Sequence, residues 1–167
     1  MTDFNNTHLS FDGHSHDHKT CVSEALKSAR SLCETRGARL TPIRQQVLEL
    51  IWNCHKPVGA YDLLASLSKD GEKVAPPTVY RALDFLLEQG LIHRIESLNA
   101  YVGCPHPETE HSSLFLICRT CQHAAEVHDQ RLFQKLSDTI AGIGFAQEQQ
   151  VLEIRGICPD CQKADRS

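Results

Sequence analysis

The sequence predicts a mixed α/β chain of two domains, a helical segment closed by a β-hairpin and then an α+β segment. Two observations predict it. Apolar residues recur at three- and four-residue steps up to Gly90 and alternate with polar residues directly after it. Two Cys-x-x-Cys pairs, at residues 118–121 and 158–161, fall in the second part. With 167 residues, 41% of them hydrophobic, the chain can bury two small cores.

Residues 1–21 are expected to form a disordered, histidine-containing tail, because they are polar and lack a periodic apolar pattern. The chain has no signal-peptide core and no apolar run of about 18 residues, so a cytoplasmic protein without a membrane partner is expected. In that compartment the eight cysteines are expected to be metal ligands and buried thiols rather than disulfides.

Residues 22–103 predict a winged helix-turn-helix domain. The first helix starts at Val22, and the second opens at Thr41-Pro42, where threonine can cap and proline suits the first helical position. A third helix follows Pro57, and a fourth runs from Pro76 to Gly90. The alternating segments 91–96 and 100–103 predict a hairpin, which completes the winged pattern. A generic helical domain with an attached hairpin is the alternative. Cys33 and Cys54 are expected on buried helix faces.

The fourth helix is the candidate nucleic-acid contact. If its apolar face packs inward, Thr78, Tyr80 and Arg81 lie on the outer face near the helix N-terminus. That is where a recognition helix carries base and phosphate contacts. The net charge is −4, yet residues 22–44 hold five Lys/Arg against two Glu, and residues 104–167 hold six against nine Asp/Glu. This asymmetry indicates that only the first domain meets phosphate.

Residues 113–167 predict an α+β domain. Strands are expected at 114–117, 124–127 and 151–154, with a helix from Asp129 to near Gly142. The four cysteines of the two pairs would complete a tetrahedral thiolate site, which is the arrangement preferred by structural zinc. A thioredoxin-like redox motif is the alternative for either pair. The predicted site residues are Cys118, Cys121, Cys158 and Cys161.

A second metal site is suggested around residues 104–112, which we expect to be a hinge. Nitrogen, sulfur and oxygen ligands lie on both sides of it, at His93, Cys104, His111 and Glu126. Taken singly, each has an ordinary explanation as an exposed histidine, a buried thiol or a surface carboxylate. Together, they would let metal occupancy set the angle between the two domains.

Several segments resemble the ferric uptake regulator family. Residues 76–90 resemble its recognition helix, and Leu40-Thr41-Pro42-x-Arg44 and the paired Cys-x-x-Cys motifs agree with it. The match runs from about residue 25 to 162. Residues 60–64, 93, 101–104 and 111 resemble the zinc-sensing branch, while most of the His-His-Asp-His run of the iron-sensing branch is missing at 109–113. A thiolate such as Cys104 also favours zinc over Fe(II).

The resemblance implies a homodimeric, zinc-responsive repressor of zinc-uptake genes that binds double-stranded operator DNA and has no small-molecule substrate. It implies two zinc ions per subunit, one structural at the four paired cysteines and one regulatory at His93, Cys104, His111 and Glu126. It also implies that Arg39, Tyr61 and Arg81 contact DNA. Three histidines fall outside these sets and would hold a weaker third site or be solvated: His106, His123 and His128.

Parts of the sequence also suggest two other classes of protein. A zinc nucleobase deaminase is suggested by His106-Pro107-Glu108 upstream of the first cysteine pair. However, Ile117 replaces the expected proline, and the second pair would fill the position that the reactive water needs. A zinc storage or delivery protein would explain the many ligands and the histidine-containing tail, but it would not explain the recognition-like helix.

Overall fold

The computed structural model describes residues 18–54, 56–68, 74–109, 112–147 and 150–164. The described residues divide into two units between residues 109 and 112. We call described residues 18–109 the front unit and described residues 112–164 the rear unit. Within these ranges, no helix combines the length and the apolar character that crossing a bilayer requires.

The front unit confirms the predicted winged helix-turn-helix order. Its sheet is antiparallel with strand order β1-β3-β2, and His93 pairs with Val102 across the wing. The short strand β1 was not predicted from the sequence. The elements are α1 (His18–Thr35), α2 (Pro42–Trp52), β1 (Val58–Gly59), α3 (Ala60–Leu67), α4 (Pro76–Glu88), β2 (Ile92–Ile95) and β3 (Ala100–Gly103).

The core of the front unit lies between α2 and α4. Val47, Leu48 and Ile51 of α2 are buried, as are Leu83 and Leu86 of α4. Burying a side chain of this size contributes roughly 1.5–3 kcal/mol. The apolar face of each helix is thereby fixed inward, and the opposite face of α4 is left to solvent.

Two further features of the front unit differ from the sequence prediction. Residues 18–21, assigned to the tail, form the first turn of α1, where the Ser23 hydroxyl donates to the Thr20 carbonyl at 2.8 Å. A polar first turn needs no apolar face, so hydrophobic periodicity did not detect it. Cys54 is exposed because α2 ends at Trp52. Cys33 is buried on α1, as predicted.

The C-terminal end of α4 is closed by a hydrogen-bonded cap. Gly90 has φ +66°, a conformation that suits glycine because it has no Cβ. The Gly90 N–H donates to the Leu87 carbonyl and the Leu91 N–H to the Leu86 carbonyl, both at 2.9 Å. This pair of bonds is a Schellman motif. The chain therefore turns directly from α4 into the wing.

The rear unit is the predicted α+β domain. Its sheet has the order β5-β4-β6, with β5 antiparallel and β6 parallel to β4. Asp129 caps α5, accepting from the N–H groups of Arg131 and Leu132 at 2.9 and 3.2 Å. The elements are β4 (Leu114–Cys118), β5 (Ala124–Val127), α5 (Gln130–Gly142), β6 (Leu152–Gly156) and α6 (Pro159–Ala164).

The last strand extends further than the predicted 151–154. It pairs with β4 from Leu114 opposite Leu152 to Cys118 opposite Gly156. Pairing with β4 therefore sets the length of β6. The prediction ended the strand at residue 154 because the apolar run ends there. Helix α6 was not predicted.

Gly103→Ala is expected to destabilise the front unit by about 1–3 kcal/mol, the usual effect of overpacking a tight site. A Cβ at residue 103 would lie 2.5 Å from Nε1 and 2.8 Å from Cδ2 of the Trp52 indole. Thermal unfolding measures the change. Gly142→Ala is the matched control, because a Cβ at residue 142 meets nothing within 4 Å. Equal unfolding temperatures for Gly103→Ala and the unaltered protein would contradict this packing.

Candidate metal centre and nucleic-acid interface

The topology of the rear unit brings the two Cys-x-x-Cys pairs together. Strands β4 and β6 are adjacent and parallel, so their carboxyl ends lie at the same edge of the sheet. One cysteine pair begins at the end of β4, and the other follows β6. The Arg119 N–H donates to the Gly156 carbonyl at 2.9 Å, which ties the two loops at this edge. Strand pairing thus brings together two cysteine pairs that are separated by 36 residues in the sequence.

The four sulfur atoms have the spacing of a tetrahedral metal site. All of them lie within 4.8 Å of one another, and the sulfurs of Cys121 and Cys158 are 3.7 Å apart. Zinc with Zn–S bonds of about 2.3 Å holds its sulfurs about 3.8 Å apart. Within the described ranges, this is the only cluster of three or more metal-ligating side chains. Donor chemistry and spacing therefore both fit structural zinc.

Backbone amides around Cys118 favour its thiolate. Burial raises the pKa of this thiol, but N–H groups of Cys121, Cys158 and Thr120 donate to the sulfur and bring the pKa to about 6. The N–H of Cys158 lies 3.3 Å from the sulfur. Hydrogen bonding to Cys158 is the main cause that raises the pKa of Cys161 to about 12. Backbone hydrogen bonds thus stabilise the charged form of Cys118, which is the form that binds a metal cation.

A left-handed residue shapes the first cysteine loop. Gln122 has φ +61°, and its N–H donates to the Cys118 carbonyl at 2.9 Å. The Cys118 N–H in turn donates to the His123 carbonyl at 2.9 Å. This conformation is uncommon for a residue with a side chain. No sequence signal marked Gln122, because glycine is the usual residue for such a turn.

The proposed regulatory ligands are distributed over both units. His93 lies in β2, and Cys104, 2% exposed, directly follows β3; both belong to the front unit. Glu126 lies in β5 of the rear unit, where its Oε1 accepts from the buried Ser113 hydroxyl. His111 lies outside the described residues. The convergence of these four side chains on one metal stays a prediction.

The remaining candidate ligands have separate surroundings. His106 is exposed after the wing, and Nδ1 of His128 is 3.2 Å from the Ser112 carbonyl oxygen. Of the described residues, His106, His123 and His128 join no cluster of three ligands. Glu108, the candidate deaminase acid, accepts from the Ser28 hydroxyl at 2.8 Å, a bond that lowers the pKa of Glu108. Four thiolates also leave no open position for a reactive water.

The candidate DNA-contacting side chains are exposed on the front unit. Thr78, Tyr80 and Arg81 lie on the outer face of the first turns of α4, as predicted. Tyr61, 78% exposed, lies at the start of α3, and Arg39 is exposed before α2. An aromatic ring exposed to this extent has no packing role within the front unit. The helix N-terminus adds a positive potential that favours a phosphate.

One arginine that links these elements was not predicted. The Arg44 guanidinium stacks 3.6 Å from the centre of the Phe85 ring of α4 and donates to the Arg39 carbonyl at 2.6 Å. A cation over an aromatic face contributes about 0.5–2 kcal/mol. Arg44 therefore holds the segment before α2 against α4. Neither contact can be read from hydrophobic periodicity, since both depend on tertiary packing.

An exposed apolar surface lies on the rear unit. Ile143 is 80% and Phe145 65% exposed, and Ile154 projects from the edge strand β6. Large apolar side chains left exposed in this way are candidates for a protein interface. The exposed large apolar residues of this unit are Leu132, Ile143, Phe145, Val151 and Ile154. No motif or periodic pattern in the sequence marked these side chains as exposed.

Cys121→Ser is expected to abolish one bound zinc and to destabilise the rear unit strongly. Binding of structural zinc contributes about 10 kcal/mol or more to folding. Zinc released on denaturation, measured with a colorimetric chelator, and thermal unfolding check this expectation. Cys54→Ser is the matched control, because Cys54 is exposed and lies outside the cluster. An unchanged zinc content in Cys121→Ser would show that the cluster is not the metal centre.

Comparison with known proteins identifies the family. The Ferric uptake regulator family profile matches residues 35–155. The chain is 39% identical over 148 residues to the zinc uptake regulation protein of Escherichia coli, covering 88% of this chain and 86% of that protein. It is 29% identical over 129 residues to the protein of that name from Mycobacterium tuberculosis, covering 75% and 96%.

Two solved structures match over most of the chain. A zinc uptake regulator in complex with zinc and DNA matches with a TM-score of 0.83 at 38% identity, covering 87% of this chain and 98% of that chain. The crystal structure of holo XcZur matches with a TM-score of 0.77 at 44% identity, covering 84% and 98%. The chain belongs to the ferric uptake regulator family and is a regulator, not an enzyme.

Proposed function

We propose that this protein is a zinc-sensing transcriptional repressor that binds the operators of zinc-uptake genes as a homodimer. A metal-responsive, DNA-binding regulator is supported directly by its family and relatives. The observation that carries the finer proposal is the match to a zinc uptake regulator bound to zinc and DNA, which covers 87% of this chain at 38% identity.

The proposed signal is a second zinc ion held by His93, Cys104, His111 and Glu126. Two observations support this set. Cys104 is buried, and Nε2 of His93 and Oε2 of Glu126 are shielded from solvent. A shielded thiolate with imidazole and carboxylate partners suits zinc better than Fe(II). Each subunit then holds two zinc ions, one structural and one regulatory.

The proposed mechanism is a linked equilibrium. Ligands on both sides of the hinge at residues 104–112 would let zinc bind a closed arrangement of the chain more tightly than an open one, and the population shifts accordingly. Allosteric coupling is typically about 1–3 kcal/mol, whereas a change from 1:99 to 99:1 needs about 5.5 kcal/mol. In the closed form, two recognition helices would enter successive major grooves of the operator.

Homodimerisation is proposed to occur through the rear unit. Its exposed apolar side chains, led by Ile143 and Phe145, provide a surface that a second copy can cover. A two-fold dimer would place one α4 on each half of a palindromic operator. Because the chain carries a net charge of −4, binding should depend on a few cationic contacts of the front unit and weaken with added salt.

Zinc-dependent operator binding is the central test, and Cys104→Ser is expected to abolish it. A gel-shift titration against a palindromic operator, at buffered free zinc or iron, measures it. The unaltered dimer should bind with zinc and not with iron. Cys104→Ser should keep its structural zinc and its fold, since the four cysteines of the cluster are untouched. Cys54→Ser is the control. Persistent zinc dependence in Cys104→Ser would show that Cys104 is not a regulatory ligand.

Arg81→Ala is expected to lower operator affinity by about tenfold or more, since a side-chain contact to a base is worth roughly 1–3 kcal/mol. Zinc content and thermal stability should be unchanged, because Arg81 is exposed on α4. Fluorescence anisotropy with labelled operator measures the affinity. Arg131→Ala, exposed on α5 of the rear unit, is the control. Unaltered affinity in Arg81→Ala would mean that the recognition surface lies elsewhere.

A further inference from the structure

Two of the proposed regulatory ligands are attached to the C-terminal end of the recognition helix. Leu91 closes the Schellman cap of α4, and its carbonyl accepts from the Cys104 N–H at 3.0 Å. His93 follows Leu91 by two residues and pairs with Val102. Cys104 is therefore one hydrogen bond, and His93 two residues, away from Leu91, the last residue of the cap of α4.

Arg36 holds this arrangement from the end of α1. Its Nη1 donates to the carbonyl of Gln89, the C-cap residue of α4, at 2.7 Å. Its Nη2 donates to the carbonyl of Pro107 at 3.4 Å. The Gln89 carbonyl is among those that a helix leaves unpaired, and a cation there is favoured by the helix dipole. Pro107 is buried and lies three residues after Cys104.

A second contact fastens the same segment to α1. The Ser28 hydroxyl, eight residues before Arg36, donates to the Glu108 carboxylate at 2.8 Å. Residues 107 and 108 are thus bound by Ser28 of α1 and by Arg36, which directly follows α1 and also binds the C-cap residue of α4. A planar guanidinium that engages two carbonyls fixes their relative position better than a flexible ammonium does.

We propose that Arg36 is the positioning residue that couples the metal ligands His93 and Cys104 to recognition helix α4. It joins the cap of α4 to the segment after Cys104, so that a shift of the ligand pair moves α4 with it. The inference rests on the proposed function, because it takes Cys104 and His93 to bind the regulatory zinc. Arg36 touches neither metal nor DNA in this role; it acts through Gln89 and Pro107.

The test compares Arg36→Ala with Arg30→Ala in the full-length dimer. Arg30 is the matched control, since it lies on α1, six residues before Arg36, and donates to Gln45 Oε1 of α2 at 2.9 Å. Operator affinity is measured by anisotropy at buffered free zinc that fills or empties the regulatory site while the structural site stays loaded. The zinc-dependent gain is the operator affinity with the regulatory site filled, divided by the operator affinity with that site empty.

In Arg36→Ala the zinc-dependent gain is expected to fall by about tenfold, within the 5- to 150-fold range of allosteric couplings. Zinc stoichiometry should stay the same. Arg30→Ala should keep the gain of the unaltered protein. Arg36→Lys should give an intermediate value, because one ammonium cannot hold both carbonyls as a guanidinium does. Ser28→Ala, a milder change at the second contact, should reduce the gain in the same direction if Arg36→Ala does not fold.

Two results of the affinity measurement would overturn the inference. One is an unchanged gain in Arg36→Ala. The other is an equal loss of affinity with and without zinc, which would mark Arg36 as a phosphate contact or a purely structural residue. If the unaltered protein shows no zinc-dependent gain, the proposed function itself is wrong. Hydrogen exchange then still tests whether Arg36 fixes the end of α4 to the segment after Cys104. Arg36→Ala should speed exchange of the Leu91 and Cys104 amides relative to Arg30→Ala. Equal exchange would refute it.

Discussion

The parallel pairing of β4 with β6 is the contact on which the rear unit depends. It aligns the carboxyl ends of two five-residue strands, and the cysteine loops that follow them become neighbours. Strand β6 contributes little burial of its own, because Ile154, Arg155 and Gly156 are exposed. Short, exposed strands are marginal without further support. Metal and sheet therefore depend on each other: the pairing assembles the sulfurs, and the metal would retain the pairing.

The front unit is stabilised differently. Its helices pack on a continuous apolar core in which Val47, Leu83 and Leu86 are fully buried, and it needs no metal to account for its fold. The polar contacts sit on the surface of that core and link its elements, as Arg44 does between α2 and α4. A stable frame of this kind would keep α4 in place while the proposed zinc signal acts at its end.

Much of this architecture could be predicted because it follows from short-range pattern. The change of hydrophobic period after Gly90 separated the helices from the wing, and the inward face of α4 fixed the outward placement of Thr78, Tyr80 and Arg81. The two cysteine pairs predicted their own cluster, which the structure confirms. Each of these predictions needs only the spacing of residues within short segments or a recognisable pair of ligand motifs.

The missed features depend on contacts between distant parts of the chain. The register of β6 and the contacts of Arg36 and Arg44 come from tertiary packing. The exposure of Cys54 depends on where α2 ends, and helix ends are hard to place from pattern alone. The regulatory ligands were found mainly through family resemblance, since no local spacing joins His93 to Glu126. Family membership is now established, while the second zinc site is proposed.

The packing of Trp52 against Gly103 has a practical consequence. Trp52 is the single tryptophan of the chain, and its indole lies on the residue that directly precedes Cys104. All of the tryptophan emission of the protein thus originates beside this proposed ligand. The molecule carries an intrinsic optical reporter for the end of β3, so events at Cys104 can be followed in the unlabelled protein without added dye or DNA.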